Sequence, residues 1–430
     1  MSFQKPKGTQ DVLPEAVGRW QYIEDTVRGL CRRFNYKEIR TPIFEQTELF
    51  RRGVGETSDV VEKEMYTFED KGRRSMTLRP EGTAGVVRAY VENKLYAEPD
   101  VTKLFYIGPM FRYEQPQAGR FRQFHQFGVE AFGSADPGLD AEVIAFGYLV
   151  YKELGIQGVR VVLNSVGNAR VRAVYREKLQ DFLRPMLDTL CEDCQSRFER
   201  NPMRILDCKI DRDKFAGAPS ILDYLDEECA SHFQAVQDHL KALGIPFETD
   251  PSLVRGLDYY THTAFEYKCG GIGAIDTIGG GGRYNGLVAE IGGGDQPGIG
   301  FAVGLERVLL VLEKQAVKVP EEPPLDVYFV SMGERADRAA VKLLYRVREA
   351  GMTGEKDYLG RKIKAQIRSA DRNRARYAAI LGDDELDRGE IALKRLDTGE
   401  QEVVPMDRLL EVLQEKLQTQ PSSGKGAGSA

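Results

Sequence analysis

Apolar residues recur every three or four positions over residues 14–34, at Trp20, Ile23, Val27 and Leu30, and that period predicts a helix. Pro14 and Glu15 suit its first turn. Tyr36–Phe44 reads as extended, and Pro42 within it argues for a sheet edge or an interface. Leu78–Thr83 reads as a strand end running into a helix that reaches about Asn93. Leu104–Phe111 and Arg122–Phe132 are strand-like runs joined by the polar stretch Tyr113–Arg120, which predicts an antiparallel hairpin with a long loop. Helical spacing returns over 139–155, followed by a strand at Val159–Asn164. From Asn168 to Leu243 the pattern is helical and charged, so residues of about 168–243 are read as a helical insertion in a β-rich domain. Strands are predicted at 253–268 and 274–278, then a glycine-rich turn, a strand at Gly298–Val303 and a helix from Leu305 to about Glu313.

Residues 315–324, QAVKVPEEPP, form a linker. Beyond it come a strand from Asp326, helices at 334–350 and 362–376, strands at Tyr377–Leu381 and Ile391–Leu396, and a helix at 405–418. The expected organisation is an α+β domain over 1–320 and a smaller α/β domain over 325–418. Residues 419–430 are expected to be a disordered tail.

Composition narrows the function. A chain of 430 residues needs two or three domains, and 42% apolar content excludes global disorder. Sixty Lys+Arg against 66 Asp+Glu exclude a uniformly basic nucleic-acid coat, though not a local patch. No run of about 18 apolar residues occurs, so no membrane span is expected. The first residues lack an apolar core and only six Cys are present, which points to a reducing cytoplasm. Thirteen of 44 glycines fall between Gly270 and Gly300, where backbone is expected to approach a ligand. P-loop, G-x-S-x-G and H-E-x-x-H motifs are absent, and Gly298–Gly304 has the wrong spacing for a dinucleotide fingerprint.

The hairpin carries the chemistry. On a strand, Arg122, Phe124, Gln126, Gly128 and Glu130 share one face, with Arg112 and Glu114 opposite. A cation, a ring, an amide and a carboxylate suit a ligand with a phosphate, a flat ring and a polar tail. The alternative is a solvated face with cross-strand salt bridges. Val254–Tyr260 places Arg, Asp and two Tyr on a predicted strand, which could equally be an exposed edge. Arg307 opens a helix whose dipole disfavours cations there, so it is read as held for a ligand. His125 faces away from these residues and is read as structural. Arg361–Arg376 holds seven Lys/Arg and one acid; by default such a run is a solvated helix face. Cys191, Cys194, Cys208, Cys229 and His232 have permissible zinc pair spacings. The gaps between pairs are irregular and buried helical Cys act as small hydrophobes, so no metal is expected.

The stretch FRYEQPQAGRFRQFHQFGVEAFG resembles motif 2 of class II aminoacyl-tRNA synthetases, Gly300–Arg307 resembles motif 3, and the region around Pro42 resembles motif 1. KGTQDVLP, LVRGLDYYTHTAFEY, GGRYNGL and KIKAQIRSADRNRARYAAILGDDEL are similar to stretches of histidyl-tRNA synthetases, so the resemblance runs from Lys7 to about Gln418. It implies an antiparallel sheet flanked by helices, an anticodon-binding α/β domain and a homodimer formed through motif 1. It implies activation of L-histidine by ATP with Mg2+, then transfer to tRNA(His), with no tightly bound cofactor. By this resemblance Arg112 holds the α-phosphate and Arg255, on its other side, replaces a metal; these are the candidate catalytic residues. Phe124 and Arg307 would stack on adenine and Glu114 would contact its amino group. Glu81 and Thr83 would hold the α-ammonium of histidine, Gln126 its carboxylate, and Glu130, Tyr260 and Tyr284 its imidazole. Bonding both ring nitrogens would reject analogues lacking them by about 10⁴–10⁵, so no editing domain is expected. Gln117, Arg120 and Arg122 would meet the tRNA acceptor end, and Arg372, Arg374 and Arg376 the anticodon. Two relatives stand as alternatives: the non-catalytic regulatory subunit of ATP phosphoribosyltransferase and a synthetase-like module of a nutrient-sensing kinase. Arg112, Arg255, Arg307 and the C-terminal domain weigh against the first, and the lack of a kinase signature against the second.

Overall fold

Pro14 opens α1 (Pro14–Arg33), which buries Trp20, Ile23, Val27 and Leu30 as the spacing predicts. The structure, a computed structural model, describes residues 3–55, 58–271 and 276–418. Next come β1 (Lys37–Glu38), β2 (Phe44–Gln46), α2 (Thr47–Val54), β3 (Tyr66–Glu69), β4 (Ser75–Leu78) and α3 (Thr83–Glu92). They lead into β5 (Thr102–Phe111), β6 (Gln123–Phe132), α4 (Pro137–Glu153) and β7 (Val159–Ser165). The extended Tyr36–Phe44 stretch is thus divided between two sheets. β1 pairs in parallel with β5 at the edge of the main sheet, whereas β2 joins β4 and β3 in a small antiparallel sheet.

The insertion contains α5 (Ala169–Leu183) and α6 (Glu192–Arg200), followed by short 3-10 turns. Tyr175, Leu179, Leu183, Phe198 and Ile205 form its own small core. α7 (Glu227–Ala242) joins it only through Cys229 in its first turn. Its apolar stripe, Phe233, Val236 and Leu240, packs into the main core. The separate core of the insertion therefore ends in the first turn of α7, short of the expected 243, because the stripe of α7 finds its partner on α4.

β8 (Phe247–Thr249), β9 (Thr261–Cys269), β10 (Thr277–Arg283), α8 (Leu287–Glu290), β11 (Gly298–Gly304) and α9 (Leu305–Lys314) complete the first unit. Two expectations fail here. Residues 253–260 of the strand expected over 253–268, including Arg255, are irregular with bends and a turn, and only Thr261–Cys269 is strand. The glycine run at 279–282 is not a turn but the middle of β10, paired with both β9 and β11. Residues 274 and 275 of the expected strand lie outside the described residues. The main sheet runs β1-β5-β6-β11-β10-β9-β7-β8, parallel only at its two outer pairs. Phe127, Val129 and Ala131 of β6 face a core shared with α1, α4, α7 and α9. Each fully buried large apolar side chain there contributes about 1.5–3 kcal/mol. The alternate residues of β6 face the opposite side, where the cleft lies.

The chain divides into two compact units between Val319 and Pro320. The second contains β12 (Val327–Ser331), α10 (Glu334–Glu349), β13 (Gly354–Lys356), α11 (Ile363–Arg372) and β14 (Tyr377–Leu381). These are followed by α12 (Asp383–Arg388), β15 (Glu390–Arg395), β16 (Gln401–Pro405) and α13 (Leu409–Gln418). Its sheet order is β13-β12-β14-β15-β16, with β13, β12 and β14 parallel. α11 stops four residues before the expected 376, since Asn373 caps it and Arg374 takes a left-handed φ of 51°. Residues 419–430, expected to be a tail, lie outside the described residues. Among the described residues no helix is long and apolar enough to cross a membrane.

Candidate active site

β5, β6, β10 and β11 floor a cleft of about 980 Å3, counting its open mouth. All eleven residues expected to bind histidine or ATP or to act in catalysis line it: Glu81, Thr83, Arg112, Glu114, Phe124, Gln126, Glu130, Arg255, Tyr260, Tyr284 and Arg307. They come from positions more than 200 residues apart in sequence. Antiparallel pairing puts Gln126 beside Gly304 and Glu130 beside Gly300. Glycine is required at 300, where a Cβ would stand 2.0 Å from Glu130 Oε2. At 280 a Cβ would stand 2.8 Å from Arg255 Nη1 and 2.7 Å from the Phe265 carbonyl oxygen. The glycines of β10 and β11 thus make room for side chains arriving from other elements.

One end of the cleft is cationic and aromatic. Arg112 Nε donates to the Pro80 carbonyl at 2.8 Å, which aims the guanidinium, and its Cζ lies 5.4 Å from the Phe124 ring centre. Arg307 Nη1 donates to the Thr277 carbonyl at 2.7 Å. Burial, then the nearby Arg120, depress the Arg307 pKa, so an anionic or π-rich ligand between these cations would relieve it. Arg120 was expected on the RNA-facing loop, yet it lines the cleft and pairs with Glu114 at 3.2 Å. Arg122 does not share the Phe124 face, because β6 begins only at Gln123. Its guanidinium lies 3.8 Å from the Tyr113 ring centre, and Nε donates to the Glu114 carbonyl at 3.2 Å. Gln117 is exposed on the loop, bridged to Arg120 through the backbone.

The other end is closed and acidic. Glu130 accepts from Thr83 Oγ1 at 2.7 Å and from the Tyr284 hydroxyl at 2.5 Å. Burial pushes its carboxyl up to about 8. Glu81 accepts the backbone N–H groups of Thr83 at 2.6 Å and Ala84 at 2.8 Å, and so caps α3. Burial raises its pKa too. The Arg255 guanidinium pairs with Glu266 and lies 6.0 Å from the Tyr260 ring centre. Gln126 Oε1, Arg255 Nε and Arg120 Nε are buried without a hydrogen-bond partner. Unsatisfied buried polar atoms facing one cavity mark a ligand site.

A family profile for histidyl-tRNA synthetase matches residues 8–308. The chain belongs to the histidyl-tRNA synthetase family. An anticodon binding domain profile matches residues 326–416. A histidine–tRNA ligase of Halothermothrix orenii is 58% identical over 416 residues, covering 96% of this chain and 99% of the relative. One from Bacillus cytotoxicus is 56% identical over 422 residues, covering 97% and 100%. The apo crystal structure of the Staphylococcus aureus histidyl-tRNA synthetase superposes with a TM-score of 0.83 at 47% identity, covering 96% and 100%.

In this histidyl-tRNA synthetase fold, several residues beyond those expected from sequence support the cleft. Tyr106 lies opposite Gly128 across the hairpin and lines the floor, a large–small pairing visible only once the register is known. The Tyr259 ring lies 4.6 Å from that of Tyr260, tilted by 51°. Asp140 is fully buried and joins three elements: His232 Nε2 lies 2.9 Å away, Thr263 Oγ1 donates at 2.6 Å and Arg283 Nε at 3.0 Å. Burial opposes its charge, but the bonds from His232 and Arg283 outweigh that and hold its carboxyl below the usual range. This network fixes the backbone just before Tyr284. His125 lies behind the cleft, 3.1 Å from Glu306 and edge-on to Trp20, as its strand position implies.

The five expected zinc candidates separate. Cys191, Cys194 and Cys208 gather with Asp211. Cys229 Sγ instead sits 3.7 Å from His262 Nδ1, and His232 is committed to Asp140.

In the second unit, Arg374 bonds Glu321 at 2.7 Å, Arg376 lies 3.9 Å from Asp326, and Arg372 bonds Ser369 at 2.8 Å. A groove lies elsewhere, at the carboxyl end of β12 and the start of α11, lined by Met332, Arg338, Arg361, Lys362 and Lys364. Ligands of open α/β sheets bind at such strand ends.

Proposed function

We propose that this chain is a histidine–tRNA ligase: it joins L-histidine and Mg2+-bound ATP into histidyl-adenylate, then esterifies the terminal ribose of tRNA(His). The observation that supports this best is a single cleft in which four arginines and the Phe124 ring adjoin a closed pocket of Glu130, Tyr260 and Tyr284. In the first step a histidine carboxylate oxygen bonds the α-phosphorus, the bridge to the β-phosphate breaks, and pyrophosphate leaves. Attacking and attacked groups are both anionic, so cations fixed on the developing charge lower the barrier. Arg112 and Arg255 fill that role from opposite sides. Phe124 and Arg307 hold adenine between them, and Glu114 receives its amino group. Glu81 and Thr83 take the substrate ammonium, Gln126 its carboxylate, and Glu130 with the two tyrosines its imidazole. Mg2+ enters with the nucleotide and offsets phosphate charge.

The loop carrying Gln117 meets the tRNA acceptor end, and the second unit binds the anticodon arm. The cytoplasm is the working compartment, since all six cysteines are unpaired. Histidine-dependent exchange of labelled pyrophosphate into ATP, with charging of tRNA(His), tests the reading. A pure, folded chain that performs neither is not a ligase. The regulatory-subunit alternative would show neither activity.

Glu130 makes a pH-dependent contribution. Its ordinary value is 4.5 and its folded value about 8, so the folded state keeps a proton that the unfolded chain releases. That stability is complete below the unfolded value and disappears as pH rises through the folded one. Glu130→Gln removes the loss. The Tm difference between variant and wild type should move in the variant's favour by several degrees between about pH 5 and pH 9. A difference that stays flat across this range would show that Glu130 is already ionised in the folded protein.

The chain should also be a homodimer. Ile43, Phe44 and Phe68 are 44%, 51% and 43% exposed, an apolar patch that begins in the segment carrying Pro42. Light scattering at micromolar concentration should return twice 48.3 kDa, and Phe44→Glu should weaken the association. A wild-type mass of one chain would contradict this.

A further inference from the structure

We propose that Cys191, Cys194, Cys208 and Asp211 bind one zinc ion, which staples the insertion beneath the loop that carries Arg255. The four ligand atoms lie within 4.8 Å of one another. Tetrahedral zinc, with Zn–S of about 2.3 Å and Zn–O of about 2.0–2.2 Å, sets sulfur–sulfur edges of about 3.7 Å and sulfur–oxygen edges of about 3.5 Å. Cys191 Sγ and Cys208 Sγ are 3.7 Å apart, and Cys208 Sγ lies 3.9 Å from Asp211 Oδ2. Two of the six edges therefore match those of a zinc tetrahedron, and the others need to contract by no more than about 1 Å.

The spacing becomes regular once Asp211 replaces Cys229 and His232. Cys191-x-x-Cys194 and Cys208-x-x-Asp211 are two pairs of equal spacing. Cys191 is the N-cap of α6 and Cys194 lies in its first turn, so both sulfurs emerge from one helix end. Cys208 and Asp211 occupy a turn in which the Asp211 N–H points at Cys208 Sγ at 3.5 Å. The outer contacts suit an anionic ligand set. Asp211 Oδ2 accepts the Cys191 N–H at 2.8 Å, and Oδ1 accepts from Lys214 Nζ at 2.8 Å. Such partners orient metal ligands and offset their charge. Asp211 is only 3% exposed, and Lys214 meets its Oδ1, which leaves Oδ2 turned toward Cys208 Sγ.

The insertion has reason to need the ion. After α6 it contains only turns until α7. Units below about 60 residues bury too little surface to be secure without a staple. The stapled segment then supports the active site. Arg204 Nη1 donates to the Arg255 carbonyl at 3.0 Å, and Asn201 Nδ2 to Asp258 Oδ1 at 2.9 Å.

The test uses full-length protein, with no affinity tag and with reduced thiols, dialysed against zinc-free buffer. Plasma mass spectrometry should find about one zinc per chain, released stoichiometrically by an organomercurial. Cys208→Ser should lower the content below about 0.1 per chain, while Cys31→Ser, a buried thiol elsewhere, keeps it. Asp211→Cys should retain zinc, which separates loss of a ligand from loss of the fold. Stripping the zinc should speed amide exchange over residues 253–260, and unchanged exchange there would overturn the link to Arg255. Wild-type protein below about 0.1 zinc per chain after reconstitution would overturn the site. So would a covalent Cys191–Cys208 bond in the intact mass.

Discussion

Arg255→Ala should lower histidine-dependent pyrophosphate exchange by about 10²–10³, the cost of removing one preorganised donor from a developing anion. The expectation rests on where the guanidinium lies. It lines the cleft and is largely buried against Tyr260, its Nη1 is held by Glu266, and its Nε is buried without a hydrogen-bond partner. Glu266 therefore fixes the cation without using all of its donors. The loss should fall on kcat, with KM for histidine changing little, because the charge acts mainly as the α-phosphorus is attacked. Truncation also leaves the partly buried Glu266 without its guanidinium partner, with only Thr277 Oγ1 at 2.9 Å and Lys268 at 4.0 Å beside its other oxygen. The double variant Arg255→Ala/Glu266→Gln separates these effects: it should recover stability while exchange stays low. Near-normal exchange in a folded Arg255→Ala protein would remove this residue from the reaction.

Local periodicity made some of the cleft legible, and the limits follow the range of the forces involved. Phe124, Gln126 and Glu130 were readable as one face because alternation along a strand is a local property. Arg122 broke the pattern because the strand begins one residue later. The glycine run at 279–282 looked like a turn, since glycine disfavours strands; here the crowding of Arg255 and Tyr260 over β10 overrides propensity. Residues 253–260 read as a strand because they are rich in apolar and aromatic side chains, but they form an irregular segment positioned by Arg204 and Asn201 of the insertion. No local pattern links Arg204 to Arg255, or Asp140 to Arg283. The role of each side chain toward histidine or ATP came from the family resemblance, not from periodicity. Asp211 carries no local metal signature, because an Asp three residues after a Cys is ordinary turn chemistry until the fold brings Cys191 and Cys194 beside it.

In the second unit, neutralising Arg338, Lys362 and Lys364 together should raise KM for tRNA(His) about tenfold or more and lower the magnitude of its salt slope by about 2. Pyrophosphate exchange should not change, since the residues that line the activation cleft all precede Pro320. The three side chains border the groove at the carboxyl end of β12, and all three are exposed. The acids nearby are already engaged: Asp337 pairs with Lys356, Asp357 with Arg361, and the exposed Glu334 with Arg338 at 3.4 Å. Positive charge on Lys362 and Lys364, with the exposed and weakly paired Arg338, therefore remains for RNA phosphates. Arg361 is left intact in this test, because its partner Asp357 is buried and would lose its counter-ion. The triple neutralisation of Arg372, Arg374 and Arg376 should have the smaller effect. Arg374 already bonds Glu321 and the Glu322 carbonyl, and Arg376 lies beside Asp326. Releasing RNA from that side would cost fewer phosphate contacts. The opposite ranking, with the 372–376 variant losing more tRNA affinity and more salt slope, would move the anticodon contact to the linker side of the sheet.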